Sequence, residues 1–137
     1  MITAEQIVDE ARTWVGTPFK HQQRVKGLGV DCAGFVIMVA KNLGLYENLT
    51  IRSDYGTSPQ AEMKELLDKY LDVSYVTQPG DIVCFRMEQD PQHLAIVTSV
   101  YPDAMMIHAH GWAGIGQVIE HGFGLYWSSK IAEIYRF

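Results

Sequence analysis

Asp31-Cys32-Ala33-Gly34-Phe35-Val36 places a cysteine where an irregular, glycine-containing segment turns into an apolar helical pattern. Phe35, Val36, Val39, Ala40 and Leu43 recur at three- and four-residue steps, and Gly44 supplies a stop. Asp31 is a good N-cap, so Cys32 is expected as the first helical residue. Backbone N–H groups without helical partners and the positive helix end favour a thiolate there, the form that attacks carbonyl carbon. Cys84 sits instead in the apolar run Ile82-Val83-Cys84-Phe85 and reads as a buried, inert thiol. These two cysteines make no disulfide framework. The residues point to a cysteine hydrolase.

A cysteine nucleophile needs a base within hydrogen-bond reach and a group that orients the base. Five histidines compete: His21, His93, His108, His110 and His121. His93 precedes Leu94-Ala95-Ile96-Val97 and is expected at the opening of a buried strand, where a cleft can form. His108 and His110 are two residues apart on the next strand, hence on one face. A two-residue loop at Pro102-Asp103 pairs Val97 with His108, Ala95 with His110 and His93 with Trp112, leaving His110 diagonal to His93. A longer loop or a bulge would bring His108 opposite His93. The third position thus stays open between His108 and His110. One neutral imidazole can orient another through its second nitrogen, so Cys–His–His is a chemically adequate set.

Other groups are weaker candidates. Asp81 follows a turn glycine and reads as a cap at a strand start. His21 is near Cys32 in sequence and is expected to line the cleft. His121, beside Gly122, reads as a loop residue without a role. A metal centre of His93, His108 and His110 is the rival chemistry. It ranks below thiol catalysis because neither Cys-x-x-Cys nor His-Glu-x-x-His occurs, and no metal or cofactor is expected.

The surrounding elements must position these groups. Thr3-Ala4-Glu5-Gln6 fits a capping box, with Ile2 and Ile7 as its hydrophobic staple. Ile7, Ala11, Trp14 and Val15 give the apolar stripe of a helix from about residue 4 to Val15. Residues 16–31 read as irregular and as one wall of a cleft. The helix begun at Cys32 runs to Leu43, and a polar loop with Asn48, Ser53, Asp54 and Gly56 follows. Ser58-Pro59 starts a third helix, with Met63, Leu66, Leu67 and Tyr70 as its buried stripe. After Gln78-Pro79-Gly80-Asp81 the pattern changes to strands over residues 82–87, 93–100, 104–109, 116–120 and 131–137. Helices first and sequential strands afterwards predict an α+β fold with an antiparallel sheet.

The chain has 137 residues, 47% hydrophobic and 20% charged, which suits one domain over residues 1–137 with one core. A net charge of −5 with scattered Lys and Arg offers no footprint for nucleic acid. No stretch reaches the length of a membrane span. Met1-Ile2-Thr3-Ala4-Glu5 lacks the basic-then-apolar pattern of a signal peptide, so synthesis and retention in the cytosol are expected unless something carries the chain out.

The assembled residues resemble the NlpC/P60 family of cysteine peptidases. Four pieces match in order: Trp14-Val15-Gly16-Thr17-Pro18 before the nucleophile; Gly29-Val30-Asp31-Cys32-Ala33-Gly34-Phe35-Val36 at it; Gly80-Asp81-Ile82-Val83-Cys84-Phe85 at a strand opening; and His93-Leu94-Ala95-Ile96-Val97 with Ile107-His108-Ala109 on two histidine strands. The set is similar to the short branch found in phage tail modules and gene-transfer particles. The resemblance implies a papain-like α+β fold, with Cys32 as nucleophile, His93 as base and His108, rather than His110, as the third polar residue. It implies cleavage of peptidoglycan stem peptides, often between D-glutamate and diaminopimelate, and tail-tip proteins as partners of a particle-borne enzyme acting on the cell wall. Many members carry Tyr where Phe19 stands, so backbone groups or His21 are expected to replace its hydroxyl. Ala33 replaces a common Ser that helps bind the substrate amine, while Asp31 remains. Substrate binding is thus expected at Asp31, Ala33, Phe19 and His21. Two other functions share the fold: a non-catalytic tail component, and a thiol acyltransferase or thioesterase with an apolar groove.

Overall fold

The computed structural model describes residues 1–46, 60–87, 90–111 and 116–137. The expected polar loop at Asn48, Ser53, Asp54 and Gly56, the Ser58-Pro59 helix start, the Met63 side chain and the pairing of Trp112 lie outside the described residues. The elements are α1 (Ala4–Arg12), β1 (Arg24–Val25), β2 (Gly29–Val30), α2 (Cys32–Asn42), α3 (Gln60–Tyr70), β3 (Asp72–Val73), β4 (Ile82–Met87), β5 (Asp90–Ser99), β6 (Met105–His110), β7 (Gln117–Gly122), α4 (Gly124–Ser128) and β8 (Ile131–Arg136). Six strands form an antiparallel sheet in the order β3-β8-β4-β5-β6-β7, and β1-β2 make a separate hairpin. This is the α+β architecture with an antiparallel sheet that the element order predicts, and it agrees with the papain-like fold the resemblance implies.

Period-two alternation divides the sheet's side chains between two cores. Ile82, Cys84, Leu94, Ile96, Ile107 and Ala109 meet Ile7, Trp14, Phe35, Val36 and Val39 of the helical layer. Val83, Phe85, Ala95, Val97 and Met106 face the other way, onto Phe123 and Trp127 from α4 and its approach. Both faces are therefore covered, which is why β4 and β5 read as continuous apolar runs. Among the described residues no helix is long and apolar enough to cross a membrane.

The capping box forms as expected. Gln6 N–H donates to Thr3 Oγ1 (3.1 Å) and Thr3 N–H to Gln6 Oε1 (2.8 Å). The helix stops at Arg12 rather than Val15, because Trp14 and Val15 make tighter turns back to Ala11 and Arg12. That turn buries Trp14 and leaves Val15 exposed. α2 ends one residue early, on a Schellman motif: Leu45 N–H reaches Ala40 O and Gly44 N–H reaches Lys41 O, with Gly44 at φ +77°. In α3 only Leu67 of the described stripe is buried; Leu66 is exposed and Tyr70 half-buried. Residues one apart on a helix point about 100° apart, so the narrow contact of α3 cannot bury both leucines.

Three departures from the expected pattern bear on the site. Residues 16–31 are not wholly irregular: Arg24 pairs with Val30 and Val25 with Gly29, around Gly27 at φ +82°. β5 starts at Asp90, not His93, since Arg86 pairs with Pro91 and Met87 with Asp90 across a bulge after Phe85. The Asp-Pro pair reads as a breaker, but Pro is tolerated at a bulge. The β5–β6 connection is longer than two residues: Ile96 pairs with Ile107, Val97 with Met106 and, past a bulge, Ser99 with Met105. The strands have slid by two residues from the two-residue-loop register. The ladder ends at Ile96, so neither His108 nor His110 is strand-paired opposite His93, and Val97 faces Met106 rather than His108.

Candidate active site

Cys32 opens α2 as its sequence predicts. Asp31 caps the helix, accepting from Gly34 N–H at 2.8 Å. Its other oxygen accepts from Gln22 N–H at 2.7 Å, so one carboxylate ties the 16–31 segment to the first helical turn. Gly34 permits that closeness. A Cβ there would lie 2.9 Å from Asp31 Oδ1 and 3.0 Å from both Arg24 Cγ and the Gln23 carbonyl.

Cys32 is half-buried, and its sulfur accepts from the backbone amides of Leu94, Ala33 and Cys32 itself. The helix-end donors anticipated from sequence are therefore present. They do not win. Burial first, and the Asp31 charge second, push the thiol up to about 12. The expectation of a poised resting thiolate is thereby corrected: the resting group is a neutral thiol.

The Leu94 contact fixes where that sulfur lies. The β5–β6 ladder reaches no closer to His93 than Ile96, and α2 packs on both strands. The helix start meets β5 at the amide immediately after His93. His93, His108 and His110 all lie on one face, as the two-residue spacing predicts, and all three are buried. His93 Nε2 is within hydrogen-bond distance of His108 Nδ1. The His93 ring also stacks on Phe85, with centroids 6.0 Å apart and planes 30° apart. His110 is edge-on to His93 at 6.4 Å. Burial pushes both His93 and His108 well below the usual imidazole range, and the neighbouring imidazoles push in the same direction. Both rings are therefore neutral at pH 7.

Two members of this cluster were not legible as such. His121 is on β7, not in a loop, and its Nε2 lies 2.7 Å from His108 Nε2. Trp127 of α4 packs against four imidazoles, its centroid 5.6 Å from His93, 5.0 Å from His108, 5.6 Å from His110 and 6.2 Å from His121. The strand-like run leading into His121 (Val118-Ile119-Glu120-His121) and the apolar run Leu125-Tyr126-Trp127 were the available signals. The rival metal centre gains no geometry: the ring nitrogens of His93, His108 and His121 face one another in sequence. Among the described residues no group of three or more His, Cys, Asp or Glu side chains is arranged to hold a metal ion.

The remaining candidates flank the same helix start. Phe19 is half-buried, forms a parallel bridge with Val30, and lays its ring over Gly111 at the end of β6. A Cβ at Gly111 would come within 2.7 Å of that ring. His21 is exposed, with Nδ1 3.8 Å from Asp31 Oδ2. Asp31 itself is buried with each oxygen on a backbone amide, and the Ala33 methyl is buried in the helical core. Asp81 accepts from Arg136 at 2.7 and 2.9 Å and from Ser74 and Gln78 N–H, so it fastens β4 to β8 rather than orienting a histidine.

Residues 16–136 match the sequence model of the NlpC/P60 family. The chain belongs to the NlpC/P60 family. The match takes in every residue of the site and leaves out the whole of α1. Solved structures carry the same fold. The NlpC/p60 domain of the peptidoglycan hydrolase SagA is 16% identical with a TM-score of 0.62, over 99% of this chain and 100% of that one. An NlpC/P60 family protein from Bacillus cereus ATCC 10987 is 21% identical with a TM-score of 0.68, over 99% of this chain but 40% of that one. A lipoprotein-like NLP/P60 protein from Staphylococcus aureus Mu50 is 19% identical with a TM-score of 0.64, over 97% of this chain and 40% of that one. The NlpC/P60 chain thus spans well under half of the latter two. Comparison with curated proteins found no match.

Proposed function

We propose that this chain is a cysteine endopeptidase that hydrolyses peptide bonds of peptidoglycan stem peptides, with Cys32 as nucleophile, His93 as base and His108 as the residue that holds His93. The observation that carries this reading is the Leu94 amide on the Cys32 sulfur, which brings the thiol to the backbone of the residue that follows the buried His93. Because thiol and imidazole are both neutral at rest, proton transfer accompanies attack. The sulfur bonds to the scissile carbonyl carbon as His93 takes the thiol proton, and amides at the start of α2 hold the oxyanion. His93 then passes that proton to the leaving amine as the C–N bond breaks. Water, giving a proton to His93, cleaves the thioester and frees the acid and the thiol. Phe19 and His21 flank the acyl site, and Asp31 supplies negative charge beside His21.

The finer reading is a phage-tail enzyme, made in the cytosol and carried by tail-tip proteins to open the wall locally, with the D-glutamate–diaminopimelate bond as its target. Resemblance of the motifs to the short particle-associated branch supports it. Incubating the protein with muropeptides and weighing the products tests the reaction. Loss of cleavage on Cys32→Ala, with no effect of a chelator, is expected. Loss on chelation would replace the thiol mechanism with a metal one. A non-catalytic role is the second reading, favoured by the high resting position of the Cys32 thiol, and intact muropeptides after incubation would support it.

A further inference from the structure

His121 is half-buried on β7, between the sealed His108 ring and solvent. Its Nδ1 lies 2.7 Å from the Gly122 carbonyl oxygen and its Nε2 lies 2.7 Å from His108 Nε2. His108 Nδ1 in turn meets His93 Nε2. A carbonyl oxygen only accepts, so Nδ1 of His121 carries a hydrogen. A neutral His121 then offers a bare Nε2, which accepts from His108 Nε2–H. His108 consequently has a bare Nδ1, which accepts from His93 Nε2–H. His93 is left with its lone pair on Nδ1. One carbonyl oxygen thereby fixes three tautomers in series.

We propose that His121 is a positioning residue that, acting through His108, holds His93 in the tautomer able to take a proton at Nδ1. The inference rests on the reading of Cys32 and His93 as nucleophile and base. Its converse is a pH response. A protonated His121 donates from both nitrogens, so His108 must accept at Nε2 and donate from Nδ1. His93 then accepts at Nε2 and carries its hydrogen on Nδ1, where it can no longer act as a base. The groups facing His121 are few among the described residues. β6 presents His108 and Met106, α4 presents the uncharged Trp127, and His93 and His110 lie beyond His108. Glu120, the neighbour on its own strand, is engaged by Arg12 and Thr98 on the other face.

Two variants and one spectrum test this. Gln at this position can accept from His108 without titrating, whereas Leu cannot accept. Long-range nitrogen–proton NMR at pH 7 is expected to show native His93 protonated at Nε2 and bare at Nδ1. His121→Leu is expected to lose that single tautomer and at least tenfold in kcat on a muropeptide, with KM within twofold. His121→Gln is expected to keep the tautomer and most of kcat, with the acid limb of its kcat profile moved to lower pH. A native spectrum with the hydrogen on His93 Nδ1 would overturn the proposal. So would His121→Leu with native kcat and pH profile. If His121→Leu does not fold, the native spectrum and the His121→Gln profile still decide. Cleavage that survives Cys32→Ala while His93 stays bare at Nδ1 would overturn the proposed function and leave the tautomer assignment standing.

Discussion

The backbone amide of Leu94 donates to the sulfur of Cys32. It joins the first residue of a helix to the strand residue that follows His93, at a point where β5 has no β6 pair. Three amides surround the sulfur, yet burial outweighs them and keeps the thiol protonated. Burial thus favours a protonated thiol at Cys32 and uncharged rings at His93 and His108.

Alkylation measures that balance. With the Cys32 thiol pushed up to about 12, the folded protein is expected to react slowly with iodoacetamide at pH 7. The rate should climb about tenfold per pH unit above neutrality, as the thiolate fraction does. The chain in denaturant should react like an ordinary thiol. Cys84, fully buried, should stay unlabelled while the fold persists. Fast labelling of folded Cys32 at pH 7 would show a standing thiolate.

Acid should destabilise the fold from about pH 6.5 downwards. His93 and His108 are held below their ordinary value, so between the unfolded and folded values the unfolded chain binds protons that the folded one refuses. Their contribution is fully present above about pH 6.5 and is lost as pH falls, by at most about 1.4 kcal/mol per pH unit for each imidazole. Urea midpoints at pH 7.5, 6 and 5 check this, and equal midpoints at pH 7.5 and 5 would contradict it.

Much of this site was legible in the chain. Asp31 and Gly34 had to be a cap and a close contact, and the Cys32 helix followed from its apolar spacing. His93, His108 and His110 had to share a face once both segments were strands. The register was not legible, because it depends on two bulges and on a longer turn that leave no periodic trace in Tyr101-Pro102-Asp103. His121 and Trp127 were missed for a related reason: only the closing of β7 onto β6 and the fold-back of α4 bring them to His108. The thiol's resting state was misjudged because sequence reveals the donors at a helix start but not how much water they lose.

Gly34→Ala should damage stability and turnover together. Its Cβ would fall within 3.0 Å of Asp31 Oδ1, Arg24 Cγ and the Gln23 carbonyl, and a carbonyl cannot rotate aside. Crowding of this kind costs about 1–3 kcal/mol. Because the displaced groups include the helix cap, kcat should fall even at temperatures where the variant is folded. Thermal melting and kcat measured on one preparation check this. Native values of both would show that the loop has room.

Arg136 and Asp81 should respond unequally to removal. Asp81 is buried, whereas Arg136 is 43% exposed. Arg136→Ala strands a carboxylate inside the fold, at a cost of about 3 kcal/mol. Asp81→Asn leaves a guanidinium that water can reach, at about 1–2 kcal/mol. Chemical denaturation of the two variants gives the order, and a larger loss for Asp81→Asn would reverse it.

The central claim is that Cys32 carries the acyl group during turnover. Quenching the reaction with acid during the first turnovers and weighing the intact protein tests it directly. The native chain should gain the mass of the acyl half of the muropeptide, mapped to Cys32, while Cys32→Ala gains nothing and cleaves nothing. Cleavage by Cys32→Ala at the native rate would contradict the account.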